Sequence, residues 1–459
     1  MRMLAIAALA CALHAQTKLP PYTRQTLPNG VVIGLLPRKD VPLLTLRVLV
    51  KGGAESDPAG AAGLANVTAE LLRRGTASRS AERFADEIDA LGAQFNTRVD
   101  AQSTAIQAEF LSKVAPAALD LVADAVLRPA FSAGEVKKTL AEHADAVRAL
   151  KDQPGPAATL YFRSFFFGTG HPYAHPSSGD ETSLARITRE QIAAYHQRMY
   201  VGGNLIVIAA GDFDAAALSA MLAKAFGAAP AGGAYRWRAE QQPARASEPR
   251  LLLVNKPGAT QTYFNIGHTG IRRTDPDRVV VRVVNTLFGG RFTSMLNDEL
   301  RVNSGLTYGA GSSFDQDRLT GAFRISSYTP AATTAKAIDL TLGVLNRLRE
   351  KGINAEQLAS AKAYIKGTFP TDRLETSGQL AAAIGELELF GLGREDVDEF
   401  LANVDAVTVE QANAAIRRRF GSESLTFVLV GDAPKIREAL KKYARDVAET
   451  EISKPGFGN

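Results

Sequence analysis

The sequence predicts an α+β fold of two homologous domains, each a mainly antiparallel β-sheet with helices packed on one face. The first observation behind this prediction is an internal duplication. The segments 187–212 and 407–432 align without a gap, and each has Thr-x-Glu-Gln near its start and Gly-Asp at its end. A shorter match links the beginnings of the halves, through Gly52 and Asp57-Pro58 in the first and Gly270 and Asp275-Pro276 in the second. The chain is therefore interpreted as two copies of one unit.

The order of predicted elements is the same in both halves. Each half opens with two runs rich in Val, Leu, Ile and Thr, which are typical of strands. Stretches with helical spacing of apolar residues follow, and each half ends with a strand that stops at Gly-Asp and a short final helix. In the first half the predicted strands are 30–36, 43–50 and 205–209, and the predicted helices are 61–74, 80–91, 115–127 and 215–225. In the second half the predicted strands are 250–254, 262–267 and 425–429, and the predicted helices are 278–287, 331–351, 354–366 and 435–443.

Length and composition fit two globular domains. With 459 residues, of which 46% are apolar and 22% charged, the chain exceeds what one hydrophobic core usually organises. A stretch of small and polar residues separates the halves. The predicted divisions are a first domain at 18–228, a linker at 229–247, a second domain at 248–450 and a tail at 451–459. The net charge of +5 arises from Lys and Arg residues interspersed with nearly as many Asp and Glu residues, so no nucleic-acid partner is expected.

Residues 1–15 are predicted to form a signal peptide. Arg2 precedes a short apolar run, and small residues follow with a cleavage position after Ala15. The run is too short to span a membrane, because a spanning helix needs about 20 apolar residues. The sequence therefore predicts export to the periplasm. The alternative is a lipid anchor at Cys11, the sole cysteine, which follows a segment that faintly resembles a lipoprotein cleavage box, and only then is the membrane an expected partner.

Residues 63–76 carry a motif that points to a family. They read G-L-A-N-V-T-A-E-L-L-R-R-G-T. This stretch resembles the G-L-x-H-x-x-E-H-M/L…G-T motif of the pitrilysin/insulinase metallopeptidases, also called inverzincins. That family includes mitochondrial processing peptidases and core proteins of respiratory complexes. The resemblance extends over nearly the whole chain and implies the two-domain fold predicted above.

The zinc ligands of that motif are missing from this sequence. In active members two His residues at positions i and i+4 hold zinc and a Glu at i+3 polarises the attacking water, because these positions share one helix face. The corresponding residues are Asn66, Ala69 and Glu70, and the family's third ligand, a Glu on a later helix, corresponds to Ala146. One carboxylate is too little for a site that normally has three protein ligands. The chain is therefore expected to bind no cofactor itself and to depend on zinc in a partner subunit.

Two other histidine groupings could form metal sites by residue type but are interpreted as structural. Glu142-His143 resembles the end of the same motif, but Thr139 stands where the first His would be. His171 and His175 lie four residues apart, but the prolines around them argue against a helix that presents both on one face. Their segment instead resembles a loop that family members write as H-P-Y-G-R-P. Neither grouping is expected to hold a metal ion.

A second family motif is retained in the second half. Residues 289–308 are similar to G-G-x-x-S-x-L…L-R-x-x-x-G-L-x-Y. Family members use that Arg and Tyr to hold the substrate carbonyl near the scissile bond, and the corresponding positions are Arg301 and Tyr308. Each donor aimed at a developing oxyanion can contribute about 3 kcal/mol of transition-state stabilisation. The opposing interpretation is a surface helix residue with a strand residue packed on it, and the match of the surrounding motif favours the functional one.

The resemblance implies a peptidase divided between two chains. Some bacterial members consist of one chain with the zinc motif and one with the Arg/Tyr pair, which together enclose a peptide substrate. This chain resembles the second kind, so the predicted function is a non-catalytic subunit that contributes Arg301 and Tyr308 to hydrolysis by a homologous partner with the H-x-x-E-H motif. The rival hypothesis is a structural or peptide-binding protein of the same fold with no peptidase role. A third, an independent peptidase with another metal site, lacks a recognised histidine cluster.

Overall fold

The computed structural model describes residues 17–168, 170–238 and 248–458. The predicted signal peptide, Cys11 and residues 239–247 of the predicted linker lie outside these ranges. Within them the chain forms two six-stranded, mostly antiparallel sheets with helices, one sheet in each half. The predicted α+β fold class is therefore confirmed. No helix in the described ranges is long and apolar enough to cross a membrane.

The strands occupy corresponding places in the two halves. The strands of the first half are β1 (Thr23–Thr26), β2 (Val32–Pro37), β3 (Leu43–Lys51), β4 (Gln94–Val99), β5 (Ser103–Leu111) and β6 (Leu205–Gly211). The strands of the second half are β7 (Arg250–Asn255), β8 (Gln261–Thr269), β9 (Ile271–Arg272), β10 (Ala310–Phe314), β11 (Gln316–Asp317), β12 (Ala322–Pro330), β13 (Thr426–Gly431) and β14 (Val447–Glu451).

Helices follow the strands in each half. Those of the first half are α1 (Leu64–Leu71), α2 (Ala81–Ala90), α3 (Ala115–Leu127), α4 (Ala133–Lys151), α5 (Pro154–Phe167), α6 (Glu181–Leu184), α7 (Arg189–Met199) and α8 (Ala215–Phe226). Those of the second half are α9 (Arg278–Asn285), α10 (Met295–Asn297), α11 (Thr334–Lys351), α12 (Ala355–Arg373), α13 (Ser377–Phe390), α14 (Glu395–Asp398), α15 (Phe400–Ala406), α16 (Val409–Arg419) and α17 (Ala433–Leu440). Wider π-helical turns extend α9 over Thr286–Gly290 and α10 over Asp298–Asn303.

The two sheets share a plan. The strand order is β1-β2-β6-β3-β5-β4 in the first sheet and β10-β12-β8-β13-β7-β14 in the second. In the first sheet β2 and β6 are parallel, and in the second β7 is parallel to both β13 and β14. All other pairs within these two sheets are antiparallel. Strands β9 and β11 form a separate short parallel pair.

The repeated Thr-x-Glu-Gln motif caps equivalent helices. At the start of α7 the Thr188 hydroxyl accepts the backbone N–H of Gln191, while the Gln191 side chain accepts the backbone N–H of Thr188. Thr408 and Gln411 make the same reciprocal pair at the start of α16. A capping box of this kind satisfies two backbone donors that the first helical turn leaves free. The duplication seen in the sequence therefore corresponds to a repeated helix start followed by a central strand.

Several predicted bounds differ from the structure. The helix predicted at 61–74 is only α1, because Gly63 adopts a left-handed φ of 93° and the helix begins after it. The helix predicted at 354–366 continues as α12 to Arg373. Helices α4, α5 and α13 were not predicted. Helix α5 has apolar side chains around most of its circumference, so it lacks the one-sided pattern that identifies a surface helix.

The two halves exchange one helix each. Helix α13 of the second half packs on β3 and β6 of the first sheet, and α5 of the first half packs on β8 and β13 of the second. Glycines allow close contact at both places: a Cβ on Gly385 of α13 would meet Leu49, and one on Gly267 of β8 would meet Phe162. Each sheet therefore has helices of its own half on one face and a helix of the other half on the opposite face.

Both ends of the described chain also cross between the halves. The backbone N–H of Leu19 donates to Asp398, and Arg394 donates to the Leu19 carbonyl. At the other end the N–H of Gly456 donates to Glu181, and the ring of Phe457 is buried in the core of the first half. Exchanged helices and crossed ends together join the halves through extensive packed surfaces.

Candidate functional site

The helix that corresponds to the zinc helix, α1, is fixed by a buried carboxylate. Asp57 accepts the backbone N–H groups of Gly63 and Ala65, each at 2.8 Å. Burial raises the pKa of Asp57 to about 7, even though these two hydrogen bonds act in the opposite direction. The side chain therefore holds the turn at Gly63 and the first donors of α1. This explains why the frame of the motif persists without its ligands.

The three positions of the degenerate motif are occupied in ways that do not suit zinc. Asn66 and Glu70 lie half-buried on one side of α1, and Ala69 is completely buried. The Glu70 carboxylate accepts a hydrogen bond from Arg73 at 2.7 Å and lies 3.8 Å from Arg74. A carboxylate already paired with arginines is a poor ligand, and an amide and a methyl group add nothing to it. These residues do not fit a zinc ion.

Helix α4 does not complete a metal site beside α1. Ala146, at the expected place of the third ligand, is exposed to solvent. One turn earlier, Glu142 forms an ion pair with Arg74 at 2.8 Å, and burial lowers the pKa of His143, with Glu70 acting to raise it. Within the described ranges there is no group of three or more His, Cys, Asp or Glu side chains placed to hold a metal ion.

The Gly-Thr pair that ends the motif has a structural role. The Thr76 hydroxyl donates to the buried carboxylate of Asp124 at 2.5 Å. Ser78, Arg79 and Arg128 donate to the same carboxylate. The loop after α1 is thereby tied to α3, so the retention of Gly-Thr does not depend on zinc chemistry.

The two histidines at 171 and 175 have different environments. The ring of His171 is buried, stacks on Phe167 with 4.6 Å between ring centroids and accepts the backbone N–H of Tyr173 at 3.1 Å. His175 is exposed. The Tyr173 hydroxyl accepts hydrogen bonds from Gln102 and from the backbone N–H of Leu319 in the second half. The loop therefore connects the halves, as expected of a structural element.

Arg301 and Tyr308 are positioned by a compact turn between α10 and β10. The buried side chain of Leu300 anchors the turn, and Gly305 reverses the chain with a left-handed φ of 62°. Asn297 accepts the backbone N–H of Ala310 at 2.8 Å and so fixes the start of β10 relative to α10. Arg301 is half-buried, whereas Tyr308 is 81% exposed and lies in a loop, not in a strand.

Both side chains line one surface cavity of about 380 Å³, together with Gln261, Thr307 and Tyr328. The guanidinium of Arg301 lies 4.4 Å from the centroid of the exposed Phe292 ring. Within the part of the chain that the structure describes, Arg301 has no carboxylate partner and the Tyr308 hydroxyl has no hydrogen-bond partner. The cavity therefore presents two sets of donors that are free to bind an acceptor such as a carbonyl oxygen.

A second, larger cavity of about 640 Å³ adjoins the first and shares Tyr308 and Tyr328 with it. It lies between the N-terminal turn of α5 and the strands β8, β10 and β12, so it includes residues of both halves. Sequence reasoning missed this cavity because α5 and β12 were not predicted. The Gly-Ala-Gly sequence at 309–311, where β10 begins, could have indicated it, since Gly311 has no side chain to cover the sheet.

Comparisons with known proteins agree with this fold. Residues 37–166 match the family described as insulinase (peptidase family M16), and residues 186–365 match the peptidase M16 inactive domain. An uncharacterized zinc protease of Mycobacterium tuberculosis is 30% identical over 88% of this chain and 92% of its own length. A protein of Helicobacter pylori named non-peptidase homolog YmxG is 22% identical over 86% of this chain and 90% of its own length. The crystal structure of a peptidase M16 inactive domain from Pseudomonas fluorescens has a TM-score of 0.83 and 27% identity, covering 90% of this chain and 98% of that one.

Proposed function

We propose that this chain, which belongs to the insulinase family of peptidases (family M16), is one subunit of a two-chain metallopeptidase. It would be the subunit that binds no zinc. The homologous partner would carry the H-x-x-E-H motif, the zinc ion and the general base. Arg301 and Tyr308 would hold the carbonyl of a peptide substrate. The observation that carries this proposal is the contrast between the two sites: α1 lacks a ligand set, while Arg301 and Tyr308 line one cavity with unpaired donors.

The chemistry of the pair suits a carbonyl that gains negative charge. The guanidinium offers several donors in a fixed plane, and the phenol offers one more. Neither group has to break an ion pair or a side-chain hydrogen bond to a described residue before it binds substrate, and the Arg301 guanidinium contacts the Phe292 ring. Donors that are already oriented stabilise a developing oxyanion without reorganisation, which is the main source of their effect on rate.

The position of the pair also suits an extended peptide. Strand β10 begins two residues after Tyr308 and lies at one edge of its sheet, where β12 is its only partner among the described strands. An edge strand has free backbone donors and acceptors, and peptides of many sequences can pair with them. A peptide laid along this edge would pass the cavity that contains Arg301, which supports a role in positioning substrate.

The test is reconstitution with the zinc-motif homologue encoded nearest to this chain. Each chain alone and the 1:1 mixture are assayed for bound zinc and for cleavage of an internally quenched peptide. We expect cleavage only in the mixture, with kcat reduced about 100-fold or more in Arg301→Ala and clearly reduced in Tyr308→Phe. Arg291→Ala is the matched control, because Arg291 lies in the same region but binds Ser360 and does not line the cavity.

A structural or peptide-binding role without peptidase activity is the second candidate. It is supported by the name of the Helicobacter pylori relative, a non-peptidase homolog, and by the loss of zinc ligands from α1. Association with the partner and full activity in the Arg301→Ala mixture would favour this second candidate. Absence of any association would favour it as well.

Export to the periplasm remains a proposal that rests on residues 1–15. Mass spectrometry of the protein from a periplasmic fraction tests it directly. A mature N-terminus at Gln16 supports cleavage after Ala15, whereas a lipid-modified N-terminus at Cys11 supports anchoring.

A further inference from the structure

The cavity of about 640 Å³ between the halves is bounded on one side by a part of the second sheet that no large side chain covers; this side is called its floor. Gly311 of β10, Ser326 of β12 and Asn265 of β8 lie side by side across the three strands, as the strand registers show. Gly311 has no side chain, and Ser326 has a small one and is exposed. The sheet is therefore uncovered at this place, although α5 covers its neighbouring part.

Aromatic rings form the walls of this cleft. The rings of Tyr263 and Tyr328, which occupy the next row of the sheet, stack with 5.0 Å between centroids and 17° between planes. Gly155 in the first turn of α5 abuts Tyr263 so closely that a Cβ would lie 3.3 Å from its ring. The exposed rings of Phe292 and Tyr308 stand at the rim. A flat, apolar group could pack against these walls on several sides.

One polar atom in the cleft lacks a partner. Asn265 is 2% exposed, and its side-chain oxygen accepts no hydrogen bond from any described residue. Two other polar groups of the cleft are already engaged: the Ser327 hydroxyl donates to the Gly309 carbonyl at 3.0 Å, and the Tyr263 hydroxyl donates to Gln261 at 3.2 Å. Buried acceptors in native proteins are almost always satisfied, so an acceptor left free in a cavity indicates a ligand with a donor.

We propose that this cleft binds the side chain of a tyrosine or tryptophan in a peptide, with the ring O–H or N–H donating to Asn265. The inference rests on the proposed function, since it names a residue class that the peptide substrate carries. An aromatic ring matches the walls, and its polar tip matches the buried, unpaired Asn265 oxygen at the floor. Tyrosine and tryptophan have both features, because their polar groups need a partner once the ring is buried. Phenylalanine has the ring without the donor and leaves the Asn265 oxygen unsatisfied.

The cleft also lies where a substrate residue would pass. It shares Tyr308 and Tyr328 with the cavity of Arg301, so a single extended peptide can place one carbonyl beside Arg301 and a nearby side chain in the cleft. The cleft would then select peptides with Tyr or Trp near the bond that the partner subunit cleaves.

Binding to the chain alone tests the inference without zinc or a partner. N-acetyl-L-tyrosinamide and N-acetyl-L-phenylalaninamide are titrated separately and followed by ligand-observed NMR. We expect saturable binding of both, with the tyrosine amide bound about tenfold more tightly, since one buried hydrogen bond accounts for such a factor. Asn265→Leu should remove the preference, and Asn265→Asp, which keeps an acceptor, should retain it. Ser326→Leu should weaken both ligands, and its exposed position leaves folding intact.

Equal affinity of the wild-type chain for the two amides overturns the inference, as does a tyrosine preference that survives in Asn265→Leu. Lack of saturable binding, or binding that Ser326→Leu leaves unchanged, overturns it too. These readouts hold even if Asn265→Leu fails to fold. A tyrosine preference combined with no cleavage in any mixture would contradict the proposed peptidase role and support a peptide-binding protein that uses this cleft.

Discussion

Asp124 should be among the most sensitive positions in the first half. Its side chain is 1% exposed and accepts four hydrogen bonds: from Thr76 at 2.5 Å, and from Ser78, Arg79 and Arg128 at 2.7 Å each. Burial by itself raises the pKa of Asp124, but these donors together lower it. The carboxylate is therefore ionised in the folded protein at neutral pH, and its stabilisation is lost only as pH falls through its lowered folded-state pKa.

The magnitude follows from what Asp124→Ala leaves behind. Removing one member of a buried charged network typically costs about 3–5 kcal/mol, because the remaining partners stay desolvated. The cost of leaving the two arginines without Asp124 is smaller than that of a fully buried, unpaired charge. Arg79 keeps its ion pairs with Glu87 and Asp120, and the side chain of Arg128 is 50% exposed and can be hydrated. We therefore expect the lower end of that range, about 3 kcal/mol. Asp124→Asn, which keeps the shape but loses the charge, should cost about 2 kcal/mol.

The assay is urea unfolding at pH 7.5 followed by far-UV circular dichroism. Asp120→Ala is the matched control, because Asp120 pairs with the same Arg79 one helical turn away but is 64% exposed. Exposed ion pairs are worth about 0–1 kcal/mol, so Asp120→Ala should shift the midpoint little. Equal losses in Asp120→Ala and Asp124→Ala would refute the reasoning, and so would a loss below about 1 kcal/mol in Asp124→Ala.

The remaining predictions concern stability at other positions. Burial lowers the pKa of His196 to about 4. Because the unfolded imidazole protonates near pH 6.5, the wild type should lose about 2 kcal/mol of unfolding free energy between pH 7 and pH 5 at this residue, and urea titrations of His196→Gln should show a correspondingly flatter pH dependence. Gly63→Ala would place a Cβ 2.9 Å from Gly179 at a φ of 93° and should lower the unfolding free energy by about 2 kcal/mol or more. Gly92→Ala, at a φ of 59° with open space around it, should cost only about 1 kcal/mol; equal midpoints for these two variants would contradict the steric argument. Phe457→Ala should cost about 3 kcal/mol in the same assay, since Phe457 is 3% exposed in the core of the first half, and an unchanged midpoint would show that the tail does not contribute.

Sequence reasoning found the elements whose pattern is local. The strands β2, β3, β7 and β8 were predicted from β-branched runs, and α7 and α16 lie in the segments that established the duplication. Capping boxes, turns at glycine and alternation of apolar residues depend only on neighbours along the chain. Elements without a one-sided pattern were missed. Helix α5 is surrounded by protein because it packs on the sheet of the second half. Helix α13 packs on the sheet of the first half in the same way.

In the candidate site, too, some features can be predicted from the sequence and others can be seen only in the folded structure. The residue types at Asn66, Ala69 and Glu70 are enough to predict from the sequence that the zinc site is lost. An alanine side chain has no atom that could act as a base in any conformation, and an amide is a poor zinc ligand. The resemblance of residues 289–308 to the family motif implies that Arg301 and Tyr308 act as a pair, but whether their donors are free depends on every neighbour in space. Only the folded structure shows that both side chains line one cavity, whose described lining residues include no carboxylate.

Three properties are already evident along the chain: the internal duplication, the sheet-and-helix class of each half and the lack of zinc ligands in the motif at 63–76. These properties follow from side-chain type and from periodicity along the chain. Three other properties are visible only in the folded chain: the halves exchange α5 and α13, Asp124 accepts hydrogen bonds from four side chains, and the Asn265 oxygen is unpaired in a cleft between the halves. Each of these depends on contacts between residues far apart in sequence. Local periodicity carries no information about which distant surface a buried face will meet.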